Sequence, residues 1–321
     1  MRDHGGNLDA AIARFGGSDW IDLSTGINRQ PWPLPGLPPR AWTDLPTRTD
    51  MAQLAEAART AWGAAGSVVP LAGASQAIQL IPRLGPPGLA RVLSPTYNEH
   101  AAALEGAGWQ VEPVTDPAAL AGADLAVVVN PNNPDGRILP PPALLALLPK
   151  VGTLVVDESF ADATPEISLA GETGRPGLWV LRSFGKFYGL AGLRLGFALG
   201  EAGAAARLTA LAGPWPIPGA AIAIGCRALA DTDWQAATIA RLNQDAARLD
   251  GLSPWPLAGG TCLFRLYDTP DARAAQDALA RHRIWSRIFP WSPRLIRLGL
   301  PASQEWDRLA AALPACRSEA N

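Results

Sequence analysis

A lysine stands alone in the glycine-rich stretch Ser183-Phe184-Gly185-Lys186-Phe187-Tyr188-Gly189-Leu190-Ala191-Gly192-Leu193-Arg194-Leu195-Gly196, between two apolar runs. The chain has only one other lysine, Lys150, against many arginines. An amine in apolar surroundings can take a lowered pKa and form a Schiff base with a carbonyl. Ser183 and Arg194 flank it with a hydroxyl and a fixed cation, which suit a phosphate. Gly73-Ala74-Ser75-Gln76-Ala77-Ile78 reads as a small-residue turn opening a helix, whose first N–H groups can also hold a phosphate. Asp157 closes the run Thr153-Leu154-Val155-Val156, and a carboxylate there can keep a pyridinium nitrogen protonated, making the ring an electron sink. Asn130-Pro131-Asn132-Asn133-Pro134-Asp135-Gly136 offers an amide to a cofactor's phenolic oxygen. Taken singly, each has a plainer reading: a surface-loop lysine, a capped helix, a turn aspartate and a proline-asparagine turn. Together they converge on one chemistry.

These residues follow short apolar segments: Val68–Leu71, Leu125–Val129, Thr153–Val156 and Leu178–Leu181, with Leu193–Leu199 closing the series. β-rich runs alternating with helical stretches indicate a mostly parallel α/β sheet. Ligands of such sheets bind at the carboxyl ends of the strands, where the polar residues cluster. Residues 1–40 differ, being rich in Gly, Pro and Trp, and Pro31-Trp32-Pro33-Leu34-Pro35 cannot be helical. They read as an extended arm. From about Ala202 the pattern turns helical. It is followed by a β-like segment at Thr261–Leu266, an amphipathic helix near Ala272–His282 and another β-like segment at Leu295–Leu298. The expected organisation is an arm over 1–40 packing on a small domain, a large domain over 41–210 and a small α+β domain over 211–321.

The 321 residues suffice for about two domains. Hydrophobic residues at 48% and charged residues at 17% exclude whole-chain disorder. A formal net charge of −2 gives no basic excess for nucleic acid. Three cysteines, Cys226, Cys262 and Cys316, are too few and too spread for a disulfide framework or a zinc site, and no metal is expected. The polar start, Met1-Arg2-Asp3-His4-Gly5-Gly6, has no signal-peptide core, and no apolar run reaches membrane-spanning length. A cytoplasmic, soluble protein is expected.

In order and spacing, the chemical set resembles the fold-type I, aspartate-aminotransferase-like family of pyridoxal-phosphate (PLP) enzymes over about residues 20–300. The resemblance implies that fold, PLP as cofactor and a homodimer with active sites at the interface. It implies Lys186 as the Schiff-base lysine, Asp157 on the pyridine nitrogen and Asn133 on O3′. Ala74 and Ser75, through their backbone, would hold the phosphate with Ser183 and Arg194. Tyr97, in Ser94-Pro95-Thr96-Tyr97, would stack on the ring. Arg297, in Ile296-Arg297-Leu298-Gly299, would bind the substrate carboxylate. Two positions depart from the family pattern: Phe160 stands where Tyr is usual, and Leu45, in Asp44-Leu45-Pro46-Thr47, where a Tyr often serves the neighbouring subunit.

His4-Gly5-Gly6-Asn7, Leu23-Ser24-Thr25-Gly26-Ile27-Asn28 and Arg297-Leu298-Gly299-Leu300-Pro301 resemble the cobalamin-biosynthesis branch, the threonine-phosphate decarboxylase group. This implies a PLP-dependent carboxy-lyase that converts L-threonine O-3-phosphate to (R)-1-amino-2-propanol phosphate. His4, Asn28, Arg287 and Arg297 then become candidates for the substrate's phosphate and carboxylate. An aminotransferase of a phosphorylated substrate such as histidinol phosphate is the alternative. A non-catalytic PLP-binding regulator, or a likeness of fold without cofactor, is disfavoured by the retained Lys186, Asp157, Asn133 and Arg194.

Overall fold

The structure is a computed structural model that describes residues 4–318; residues 1–3 and 319–321, at the outer ends of the expected arm and small domain, lie outside the described residues. The chain divides into two compact units: Met1–Pro31 with Pro134–Gly136 and Gln235–Asn321, and Trp32–Asn133 with Arg137–Trp234. It opens in the smaller unit with a helix, Leu8–Phe15, and a two-residue strand, β1 (Ile21–Asp22).

The larger unit is built on β2 (Ser67–Leu71), β3 (Leu89–Leu93), β4 (Gln110–Val114), β5 (Leu125–Val129), β6 (Thr153–Asp157), β7 (Leu178–Ser183) and β8 (Gly196–Gly200). They form one sheet in the order β2-β8-β7-β6-β5-β3-β4. All are parallel except β8, which runs antiparallel to both its neighbours, β2 and β7. Every residue of β5 and β8 is buried, as expected of central strands covered on both faces. At the edge lies β4, Gln-Val-Glu-Pro-Val, whose Pro113 and polar residues discourage further pairing. The flanking helix Arg48–Trp62 starts at a Thr47–Asp50 capping box and stops at Gly63 in the left-handed conformation.

The smaller unit has β9 (Leu257–Thr261), β10 (Phe264–Asp268), β11 (Ile284–Trp285), β12 (Arg287–Phe289) and β13 (Ser292–Gly299). Four of them form an antiparallel sheet in the order β12-β13-β10-β9, and β1 of the N-terminal segment pairs in parallel with β11. The helix Ala272–Arg281, capped by Asp271, packs against β13.

The sheet expected from the sequence is present, and the smaller unit has both helices and strands. The compact units divide at Trp234/Gln235, whereas the sequence placed the small domain from 211. Helix Ala202–Ala212 packs on β2 and helix Gly219–Ala230 on helix Arg48–Trp62, so these segments belong to the sheet-bearing unit. The N-terminal segment of the smaller unit ends at Pro31 and not at 40. Trp32 turns into the larger unit, where its main-chain N–H donates to the Tyr188 carbonyl at 2.9 Å and its indole to Asp231 at 2.9 Å. The β-like segment Thr261–Leu266 spans the end of β9, a two-residue turn at Cys262-Leu263 and the start of β10.

Candidate active site

All the parallel strands deliver their carboxyl ends to one edge of the larger sheet, and the antiparallel β8 starts there. That edge holds a cleft with about 670 Å³ of open space. Its lining includes Ala74, Ser75, Tyr97, Asn133, Asp157, Ser183, Lys186 and Arg194, so all eight residues expected to meet the cofactor share one site. Phe160, Ser159 and Gly185 also line it.

Main-chain closeness shapes one end of the cleft. Gly73, with φ of +82°, precedes the helix Ala74–Leu80, and no side chain caps that helix. A Cβ at Gly196 would lie 2.2 Å from the Ala74 nitrogen, and one at Gly73 would lie 2.7 Å from Arg194 Nη2. Main chain leaves no room for a side chain at Gly196, and at Gly73 the positive φ favours glycine. Arg194 itself has φ of +54°, a left-handed conformation that non-glycine residues rarely adopt, and its Nη1 donates to the Ala191 carbonyl at 3.0 Å. The other end of the guanidinium, Nη2, lies beside Gly73, and Arg194 shares the cleft lining with Ser75 and Ser183. Hydroxyls, a guanidinium and the start of an uncapped helix form a donor set that suits a dianionic phosphate.

Asp157 is buried at the middle of the cleft and doubly held. One oxygen lies 2.8 Å from His100 Nε2, and the other accepts from the Ser159 N–H at 3.0 Å and the Ser159 hydroxyl at 2.5 Å. Burial alone would raise its pKa, but the His100 and Ser159 bonds outweigh burial and hold the carboxyl below its usual value. Asp157 is therefore an anion at neutral pH, suited to a ring N–H⁺.

Two buried amides support the loop that ends in Asn133. Asn130 exchanges hydrogen bonds with the main chain of Leu139, and its N–H donates to the Asp157 carbonyl at 2.9 Å. Asn132 donates to the Pro95 carbonyl at 3.0 Å and accepts from the Thr96 hydroxyl at 2.6 Å. The second pair ties the segment bearing Tyr97 to the segment bearing Asn133. Lys186 Nζ lies 5.5 Å from the centroid of the Phe160 ring, a cation–π distance, at the position where the family usually has a tyrosine. Behind the cleft, buried Arg182 bridges Glu158 at 2.8 Å and Asp162 at 2.6 Å, with its guanidinium over Trp62. This network ties β7 to the segment after β6, just before Ser183 and Asp157 emerge.

The four substrate-binding candidates lie in the smaller unit. Arg287 and Arg297 are directly opposite each other on β12 and β13. Arg297 is buried, donates from Nη2 to the Ser24 carbonyl at 2.7 Å and lies over Phe264. Burial and the facing Arg287 push its pKa down to about 9, against the pull of Asp22. His4 and Arg287 line one groove with Ser24, Ser286 and Trp285. Asn28 is buried elsewhere in this unit, where its side-chain oxygen accepts from the Gln30 N–H at 3.0 Å and from Arg241 at 2.9 Å. Only its amide NH2 is of the donor type that an anion requires.

Sequence reasoning missed His100, Ser159, Thr96 and Ser24. His100 left a signal, since it stands three residues beyond Tyr97 at the spacing of one helical turn. Among the described residues, no group of three or more His, Cys, Asp or Glu could hold a metal ion, and no helix is long and apolar enough to cross a membrane.

A family model for aminotransferase class I and II matches residues 40–312. The chain is 45% identical to a threonine-phosphate decarboxylase of Pseudomonas aeruginosa, in an alignment covering 98% of this chain and 97% of that protein. It is 43% identical to a threonine-phosphate decarboxylase of a Sinorhizobium species, covering 96% of each. Among solved structures, a histidinol-phosphate aminotransferase of Sinorhizobium meliloti in complex with pyridoxal-5'-phosphate matches with a TM-score of 0.85. That match covers 99% of this chain and 96% of the other at 21% identity, a likeness of fold.

Proposed function

The chain belongs to the aminotransferase class I and II family, and from that premise we propose that it is a PLP-dependent decarboxylase. It converts L-threonine O-3-phosphate to CO2 and (R)-1-amino-2-propanol phosphate, a step of cobalamin biosynthesis, as a cytoplasmic homodimer. The observation that carries this reading is the near-complete alignment, at 45% and 43% identity, with two proteins named for that activity. The larger unit's cleft has the donor set that PLP requires.

The phosphate of PLP would be held by Ser75, Ser183, Arg194 and the main-chain N–H groups of Ala74 and Ser75. Asn133 would donate to its phenolic oxygen, and Tyr97 would cover one ring face. When bound, PLP supplies an electron sink for the pair left behind by the departing carboxylate. Asp157, kept anionic by His100 and Ser159, would hold a proton at the ring nitrogen. Lys186 would hold the cofactor through its amine and would supply the proton that the substrate Cα needs.

Arg297 would take the carboxylate of the substrate, while His4 and Arg287, which line one groove, would take the phosphate. A substrate fixed at both charged ends has little rotational freedom about Cα, and this selects the C–C bond for cleavage over the C–H bond. An aminotransferase makes the opposite selection and needs a keto acid to complete its cycle.

The test is incubation of the PLP-loaded protein with L-threonine O-3-phosphate and no keto acid, following CO2 and aminopropanol phosphate by mass spectrometry. The expected result is product from the wild type and none from Lys186→Ala. A visible PLP band that responds to substrate without CO2 release would move the reading to transamination. Absence of any PLP band would overturn the cofactor assignment.

A further inference from the structure

We propose that Ser24 is a positioning residue that secures two anion-recognising groups at once: its hydroxyl fixes the N-terminal arm carrying His4, and its main-chain oxygen fixes the Arg297 guanidinium. The identity of the anion rests on the decarboxylase reading; the ordering of the arm does not.

Ser24 is almost wholly buried, and every polar atom of it has a partner in the smaller unit. Its hydroxyl donates to Asp22 Oδ1 at 2.6 Å and accepts from the Gly6 N–H at 2.7 Å. Its own N–H donates to the same Asp22 oxygen at 2.9 Å, and its carbonyl accepts from Arg297 Nη2 at 2.7 Å. The hydroxyl thus has a set direction: the charged Asp22 orients its proton and leaves a lone pair for Gly6, two residues from His4. The arm passes so close that a Cβ at Gly5 would lie 2.4 Å from the Ser24 carbonyl oxygen. The far side of the residue is equally tight, because the Gly299 N–H donates to the Leu23 carbonyl at 2.7 Å and a Cβ at Gly299 would lie 2.2 Å from the Thr25 oxygen. β1, which bears Asp22, is itself anchored by pairing with β11, next to the strand that carries Arg287.

His4 and Ser24 line the same groove as Arg287. Gly5 and Gly6 supply no side chain to bury, and the helix that follows them, Leu8–Phe15, is anchored separately through buried Ala11 and the Arg14–Asp277 ion pair. The hydrogen bond from Gly6 to a hydroxyl that is itself oriented by a carboxylate converts this glycine-rich segment into a fixed support for an imidazole. The two functions of Ser24 are separable, because the hydroxyl serves the arm and the main-chain oxygen serves Arg297. Removing the hydroxyl should therefore weaken recognition at the phosphate end and leave the carboxylate end intact.

The experiment compares wild type, Ser24→Ala, Ser24→Cys and Ser24→Thr as full-length PLP-loaded proteins. Cysteine is near in volume and makes only weak hydrogen bonds, so it stands in if the alanine variant does not fold; threonine keeps the hydroxyl. Hydrogen–deuterium exchange is read in the peptide over residues 4–15 and in the peptide over β13. Inhibition by inorganic phosphate and by acetate is measured alongside KM and kcat for L-threonine O-3-phosphate. In the alanine and cysteine variants, exchange in the arm should rise while β13 is unchanged. KM and the inhibition constant for phosphate should rise roughly tenfold, the size of one charge-supported hydrogen bond. Acetate inhibition and kcat should stay within about twofold, and threonine should restore the arm. Unchanged exchange in the arm, or equal losses for phosphate and acetate, would overturn the proposal. If the wild type does not turn over the substrate, the decarboxylase reading fails, and the exchange data still decide whether Ser24 orders the arm.

Discussion

The cleft of the larger unit and the arginine pair of the smaller unit handle charge in opposite ways. Around the cleft, buried charged side chains have partners within the protein. Asp157 meets His100, and Arg182 meets Glu158 and Asp162, all of them buried. Such a site suits a group that stays bound. In the smaller unit, two guanidiniums are placed opposite each other on neighbouring strands, and Arg297 is pushed down to about 9 by burial and by Arg287. Like charges at facing positions are destabilising, so this arrangement favours the arrival of an anion. Under the proposed roles, the cofactor would meet a site whose buried charges are paired with opposite charge, and the substrate one where two like charges face each other.

The contrast can be broken by removing one charge from each region. Arg182→Met leaves Glu158 and Asp162 buried without their cation, and loss of one partner from such a cluster costs about 3–5 kcal/mol. Denaturant titration should show that loss, or the variant should fail to fold. Arg297→Met removes a cation that faces another cation. The stability loss in the same titration should be smaller, because the change relieves the repulsion with Arg287 while leaving the Ser24 carbonyl without its donor, and kcat/KM should fall about a hundredfold, in the range for losing one arm of a buried ionic contact. If both variants lose stability equally, the distinction drawn between the two regions is wrong.

A smaller effect is expected from His100→Phe. The Asp157 pKa in the folded protein lies below the ordinary value of an aspartate. Its contribution to stability is therefore fully present above about pH 4 and is lost as the pH falls through the lower folded-state value. Without His100, burial acts with less opposition and Asp157 moves up. The acid-unfolding midpoint, followed by circular dichroism, should shift to higher pH, with a stability loss at neutral pH of about 1.5–3 kcal/mol. An unchanged midpoint would mean that Ser159 alone holds the carboxylate.

The cleft was more legible in the sequence than the arginine region, for a physical reason. Lys186, Ser183 and Arg194 lie in one uninterrupted segment, and Asp157 and Asn133 each close an apolar run that announces its strand. Local order alone nearly places them. Arg287 and Arg297 face each other only because β12 and β13 pair in one register, and Ser24 meets Gly6 only because the chain doubles back on itself. No local pattern encodes those meetings. Strands β3 and β4 also left weak signals, since Leu-Ala-Arg-Val-Leu and Gln-Val-Glu-Pro-Val carry polar residues at the less covered side of the sheet. The division at 235 instead of 211 depends on where two alanine-rich helices pack, which composition does not specify.

Because β8 runs against its neighbours, the chain leaves β7 at Ser183, crosses the cleft with Lys186 and Arg194, and re-enters the sheet at Gly196 without quitting that edge. The amine and the guanidinium thus travel as a single heritable cassette. Recombination with a relative outside 183–196 would transmit both together, whereas a breakpoint inside would join a lysine and an arginine selected against different backbones.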